Sequence, residues 1–184
     1  MTNYSRPLFL STLALLAAAY FMISPLGKAS AHTIGDSQEI SKLLSEAKSE
    51  AVELREDADN MHTYARSNLS RHSLAVKLDE IKEHVNNSGR LLAKLNGARE
   101  TGSSWQQQAI DHITPVLREL AANTTATIEH FNVNRSPVHR KELEDYCQMN
   151  YRLATDLATL VGDFIDYGET KANFAELQKK VDAR

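Results

Sequence analysis

Cysteine, proline and glycine are scarce in this 184-residue chain, at one, four and seven residues, and aromatic side chains make up only 7% of it. A single cysteine excludes a small fold stapled by intrachain disulfides. The low glycine and proline content excludes a collagen-like repeat, and 42% hydrophobic residues exclude wholesale disorder. Positive charge is also in short supply. Beyond residue 31 the chain carries 19 Lys and Arg against 24 Asp and Glu, a formal net charge of −5, which makes nucleic acid a poor partner. Long hydrophobic runs are missing apart from residues 8–23, and those 16 residues fall short of the ~20 needed to cross a bilayer as a helix.

That run has the setting of a secretory signal. Arg6 precedes it, Ser24, Pro25, Leu26 and Gly27 break it, and the small residues Ala29 and Ala31 suit signal peptidase, so cleavage after Ala31 is expected. The expected product is exported, periplasmic or extracellular, with no stable membrane insertion after cleavage. It comprises one domain, residues 32–184.

The remainder reads as helix. Ile40, Leu44, Ala47, Ala51, Leu54, Ala58, Met61 and Ala65 alternate in steps of four and three, which is the seam of an amphipathic helix. Asp36 with Glu39 matches a capping box at its start. Leu74, Leu78, Ile81, Val85, Ser88, Leu92 and Leu95 repeat the pattern, with Gly97 as the expected stop. A third seam runs through Ile110, Ile113, Leu117, Leu120, Thr124, Thr127 and Phe131, capped by Ser103 with Gln106 and interrupted by Pro115. The fourth, after Ser136 and Pro137, uses Leu143, Cys147, Asn150, Ala154, Leu157, Val161 and Phe164. Helices are therefore expected at about 37–66, 71–97, 103–132 and 137–182. An all-α, up-down-up-down four-helix bundle with an extended C-terminal helix buries these stripes together. Phe174, Leu177 and Val181 continue the periodicity past the bundle's far end, and this tail is the expected contact for a protein partner or for self-association.

Two segments carry a resemblance: residues 105–110 (Trp-Gln-Gln-Gln-Ala-Ile) and residues 123–130 (Asn-Thr-Thr-Ala-Thr-Ile-Glu-His) are similar to those of uncharacterised exported helical proteins of bacteria. The resemblance implies export and helical architecture and supplies no activity. Better-defined exported bundles fit poorly. The cysteines of pectin methylesterase inhibitors, the Cys-x-x-Cys-His of c-type cytochromes and the Leu-Thr-x-x-Gln of Spy-like chaperones are missing, and Glu80 with His84 has the wrong spacing for a ferritin-like site.

Alternating helices bring His62, His72, His130 and His139 to one end of the bundle, where neutral imidazoles could ligate zinc or copper. Cys147 lies on a seam and reads as a buried thiol. Asn150, Thr124, Thr127 and Ser88 are polar residues within apolar stripes; they are expected to set helix register, scattered over several levels rather than gathered in a ligand cavity. No phosphate loop, nucleophile elbow, zinc-protease helix or cofactor motif occurs. The sequence thus predicts a non-catalytic protein-binding or structural envelope component that needs no cofactor, with a metal-binding or pH-responsive bundle as the alternative.

Overall fold

A computed structural model describes residues 35–67, 70–134 and 140–184 of the chain. The signal segment, His139 and the Ser136–Pro137 start of the fourth helix lie outside the described residues. Four helices follow in order: α1 (Gln38–Arg66), α2 (Arg71–Ala98), α3 (Ser104–Val133) and α4 (Arg140–Asp182), with a 3₁₀ turn, Arg99–Thr101, between α2 and α3. No strand occurs among the described residues, and no helix there is long and apolar enough to cross a membrane.

The four helices pack in a ring, α1 against α2 and α4, and α3 against α4 and α2. Contacts at the ends establish the alternating direction. The Arg71 guanidinium at the start of α2 donates to the Phe131 carbonyl near the end of α3 and stacks 3.8 Å from the Phe131 ring centroid. Arg140 Nε at the start of α4 donates to the Ala65 carbonyl near the end of α1, at 3.1 Å. Each guanidinium thereby satisfies a helix C-terminal carbonyl that has no partner within its own helix.

The seams expected from sequence form the core. Leu44, Leu54, Met61, Ile81, Leu95, Ile110 and Leu120 are fully or almost fully buried, and burial of each such side chain is worth about 1.5–3 kcal/mol. Ala51, Ala58 and Ala154 on α1 and α4 are equally buried and permit close approach of the two axes. α3 runs unbroken through Pro115, and Thr114 Oγ donates to the Ile110 carbonyl at 2.7 Å one residue before it.

Two helix ends differ from expectation. The cap of α1 is Ser37, whose Oγ accepts from Ile40 N–H at 3.4 Å, because the Asp36 carboxylate is drawn away to Trp105 Nε1 at 2.8 Å and Lys171 Nζ at 3.1 Å. Gly97 does not stop α2; the chain continues through it, and Gly102 closes the following 3₁₀ turn by donating to the Arg99 carbonyl at 3.0 Å. A Cβ at Gly102 would meet Ile40 Cδ1 at 2.7 Å and the Arg99 carbonyl oxygen at 3.2 Å, so a side chain there would force Ile40 to shift, whereas Gly97 faces open space.

Candidate functional site

At the end of the bundle where α1 and α3 begin, Gln106 is completely buried and links the two helices. Its Oε1 accepts from the Ser37 and Ser103 N–H groups at 2.8 and 3.1 Å, and its Nε2 donates to the Ser37 carbonyl at 2.9 Å and to Ser41 Oγ at 3.0 Å. Sequence reading assigned Gln106 only its capping role; the link to α1 depends on a residue 69 positions away. Beside it, the Trp105 ring lies against Gly168 of α4, where a Cβ would stand 2.6 Å from the indole. Burial raises the Asp36 carboxyl pKa, but hydrogen bonds from Ser103, Lys171 and Trp105 and the Lys171 charge outweigh it, holding the group below the usual carboxylate value.

Gly168 is the last buried residue of α4. The helix has 43 residues against 29, 28 and 30 in α1, α2 and α3, a length of about 65 Å against about 45 Å. Residues 169–184 are all exposed, and within them Phe174, Leu177 and Val181 show 68%, 60% and 70% of their surface to solvent. A groove of about 380 Å³ opens at the base of this segment, bordered by Leu44, Trp105, Ile165, Gly168 and Ala172.

The histidine end is arranged differently from a shared ligand set. The His62 ring stacks on Tyr151 at a centroid distance of 6.1 Å. The His130 ring lies 5.3 Å from Tyr146, and its Nδ1 is 3.1 Å from Asn134 Nδ2. Tyr146 and Tyr151 are five residues apart on α4, which turns them about 140° from each other, so His62 and His130 lie on different sides of that helix. His72 is exposed at the start of α2. Cys147 is fully buried, and burial, followed by the nearby Glu144 charge, pushes its thiol pKa up to about 12, which removes it as a nucleophile at neutral pH.

Among the described residues, the side chains that do converge as ligands are Glu50, Glu53 and His84, whose donor atoms lie within 4.8 Å of one another. His84 Nδ1 is 2.7 Å from Glu50 Oε1 and 4.0 Å from a Glu53 oxygen, while Nε2 lies 3.2 Å from an Asp57 oxygen on the other side of the ring. Glu50, Glu53 and Asp57 share one face of α1 because they are spaced three and four apart, and α2 presents His84 opposite them. Sequence reading missed this group. Its signal was positional: in an antiparallel pair, residues equally far from the α1–α2 connection meet, and Glu53 and His84 satisfy that relation.

Three of the four polar seam residues also converge, contrary to the expected scatter. Asn150 Oδ1 accepts from Asn123 Nδ2 at 2.8 Å and Thr124 Oγ at 3.1 Å, Asn150 Nδ2 donates to Thr127 Oγ at 3.0 Å, and Thr127 Oγ donates to the Asn123 carbonyl at 2.7 Å. They meet because successive seam steps on α3 fall opposite a single position of antiparallel α4. The network is internally satisfied and fixes α3 against α4 in register. Ser88 stands apart, its buried Oγ lacking a partner among the described residues.

Comparison with family models, curated proteins and solved structures finds no match to this chain.

Proposed function

We propose that this protein is an exported, non-catalytic binding component of the cell envelope, and that it associates through the stripe of Phe174, Leu177 and Val181 with the same segment of a second copy. The observation that carries this reading is the run of three large apolar side chains, exposed by 60–70%, on a helix anchored at its base by Trp105, Gly168 and the Asp36–Lys171 pair. An isolated exposed leucine is ordinary, but three in succession at steps of three and four are the pattern by which one helix packs on another.

A second copy suits the stripe by register. An antiparallel pairing centred between Leu177 and Gln178 sets Phe174 of one copy opposite Val181 of the other, and Glu176 opposite Lys179. The two-fold axis then pairs Phe174 with Val181 and Glu176 with Lys179, while Leu177 faces Gln178 at the centre. The contact is small, so the association is weak and depends on concentration.

Sedimentation velocity across a concentration series up to about 100 μM tests the reading. The expected result is a monomer–dimer equilibrium that is lost in the combined variant Phe174→Ser, Leu177→Ser, Val181→Ser, with the helical content of residues 38–168 retained. A strict monomer throughout, or dimers that persist in the variant, would overturn self-pairing through the tail.

A further inference from the structure

We propose that Glu50, Glu53 and His84 form a binding site for a divalent transition-metal cation of the zinc class, with Asp57 holding the imidazole from behind. The site is independent of the C-terminal stripe and lies on the opposite helix pair, α1 and α2. An acidic patch alone attracts hard cations weakly; the imidazole nitrogen is what gives this group its affinity for zinc-like ions.

The geometry supports coordination by Nδ1. A tetrahedral zinc with ligand bonds of about 2.0–2.1 Å separates its donor atoms by roughly 3.3 Å. The distances from Nδ1 to Glu50 and Glu53, 2.7 and 4.0 Å, bracket that value, so small rotations of two glutamate side chains bring all three donors to bonding position. Glu53 is 63% exposed and free to swing, whereas Glu50 and His84 are mostly covered, at 17% and 21%, and supply the fixed part of the site. Behind the ring, Asp57 lies 3.2 Å from Nε2 and is itself faced by Lys77 Nζ at 3.9 Å. With a cation on Nδ1, Nε2 keeps its proton and donates it to the Asp57 carboxylate, which orients the ring.

Access comes from outside the bundle. A groove of about 460 Å³ between α1 and α2 is bordered by Glu46, Glu50, Glu53, Asn87, Arg90 and Lys94. It leaves room for water to fill the fourth ligand position. Cation binding at Nδ1 replaces its 2.7 Å contact with Glu50 Oε1 by coordination of both atoms to the ion.

Zinc chloride titrated into the purified protein by calorimetry, with cobalt(II) absorption and histidine ring ¹⁵N spectra as independent readouts, tests the proposal. The expected result is one strong zinc site per chain, with the His84 Nδ1 resonance moved and Nε2 still protonated. His84→Ala abolishes that site, Glu53→Gln weakens it by about tenfold or more, and Asp57→Asn weakens it by about 10–100-fold. Glu53 reaches His84 only at 4.0 Å and is mostly exposed, so Glu53→Gln leaves the fold intact and keeps the test decisive if His84→Ala unfolds. A folded protein that takes up no zinc, or one whose uptake is the same in His84→Ala or Glu53→Gln as in the parent, would overturn the assignment; in the second case the metal belongs to other histidines.

Discussion

The two parts of α4 obey the same rule of spacing and meet opposite fates. From Leu143 to Val161 its apolar stripe is closed over by α1 and α3, and even the amide of Asn150 finds partners there. From Phe174 to Val181 an equally regular stripe faces solvent. Periodicity therefore identifies a face that can pack, and neighbouring helices decide whether it is packed. The boundary between the two is sharp because Trp105, Gly168, Asp36 and Lys171 meet within one turn.

The largest effect is expected inside the packed part. Asn150→Ala removes the common partner of Asn123, Thr124 and Thr127 and leaves a small cavity, at a cost of about 3 kcal/mol. A thermal melt followed by circular dichroism is expected to fall by about 6–12 °C. If the melt is unchanged, the packed half does not depend on its polar network.

Gly168→Ala acts on the boundary. The added methyl would sit 2.6 Å from the Trp105 ring, an overpacking that costs about 1–3 kcal/mol, while alanine recovers up to about 1 kcal/mol of helix propensity. The expected net loss is about 1–2 kcal/mol in a denaturant titration. Trp105 is the chain's one tryptophan, so a changed emission spectrum locates the effect.

Acid loosens the same boundary more gently. The Asp36 carboxyl pKa is lower in the folded protein than the unfolded value of about 3.9. Its contribution is thus complete above that value and lost as pH falls through the lower folded value. Trp105 emission is expected to titrate in that acid range and to lose this transition in Asp36→Ala. An identical titration in the variant would remove Asp36 as the cause.

The smallest effect is expected at the exposed stripe. At concentrations where the protein is monomeric, the combined Phe174→Ser, Leu177→Ser, Val181→Ser variant should change stability by less than about 0.5 kcal/mol, because those side chains bury little against the bundle. A larger loss measured by denaturant titration would mean that the tail is part of the core and would erase the contrast between the two halves of α4.

Much of this fold was legible because helical seams are local. Ile40 to Ala65 repeats every three or four residues whatever surrounds it, and Ser103 with Gln106 marks a helix start through groups three positions apart. Reading failed where a distant group competed for a local one. Asp36 looked like the cap of α1 until Trp105 and Lys171 claimed its carboxylate. Gly97 looked like a stop, yet the position where a Cβ would crowd its neighbours is Gly102, because Ile40 lies against it. The candidate site shows the same limit: His62, His72, His130 and His139 drew attention as a residue type at one end, whereas the ligands that converge among the described residues include His84, which stands 34 positions from Glu50.

The sequence by itself determined the number of helices, their inward stripes, their order and the surplus length of the fourth, since spacing and length are properties of a chain read one turn at a time. Only the tertiary structure decided which polar groups meet: Gln106 with Ser37, Asn150 with Thr124 and Thr127, and His84 with Glu50, Glu53 and Asp57. The reason is the axial offset between antiparallel helices. A shift of one turn, about 5.4 Å, keeps each stripe facing inward and preserves much of its hydrophobic burial, but carries hydrogen-bonding and ligating atoms out of the roughly 3 Å range in which they act.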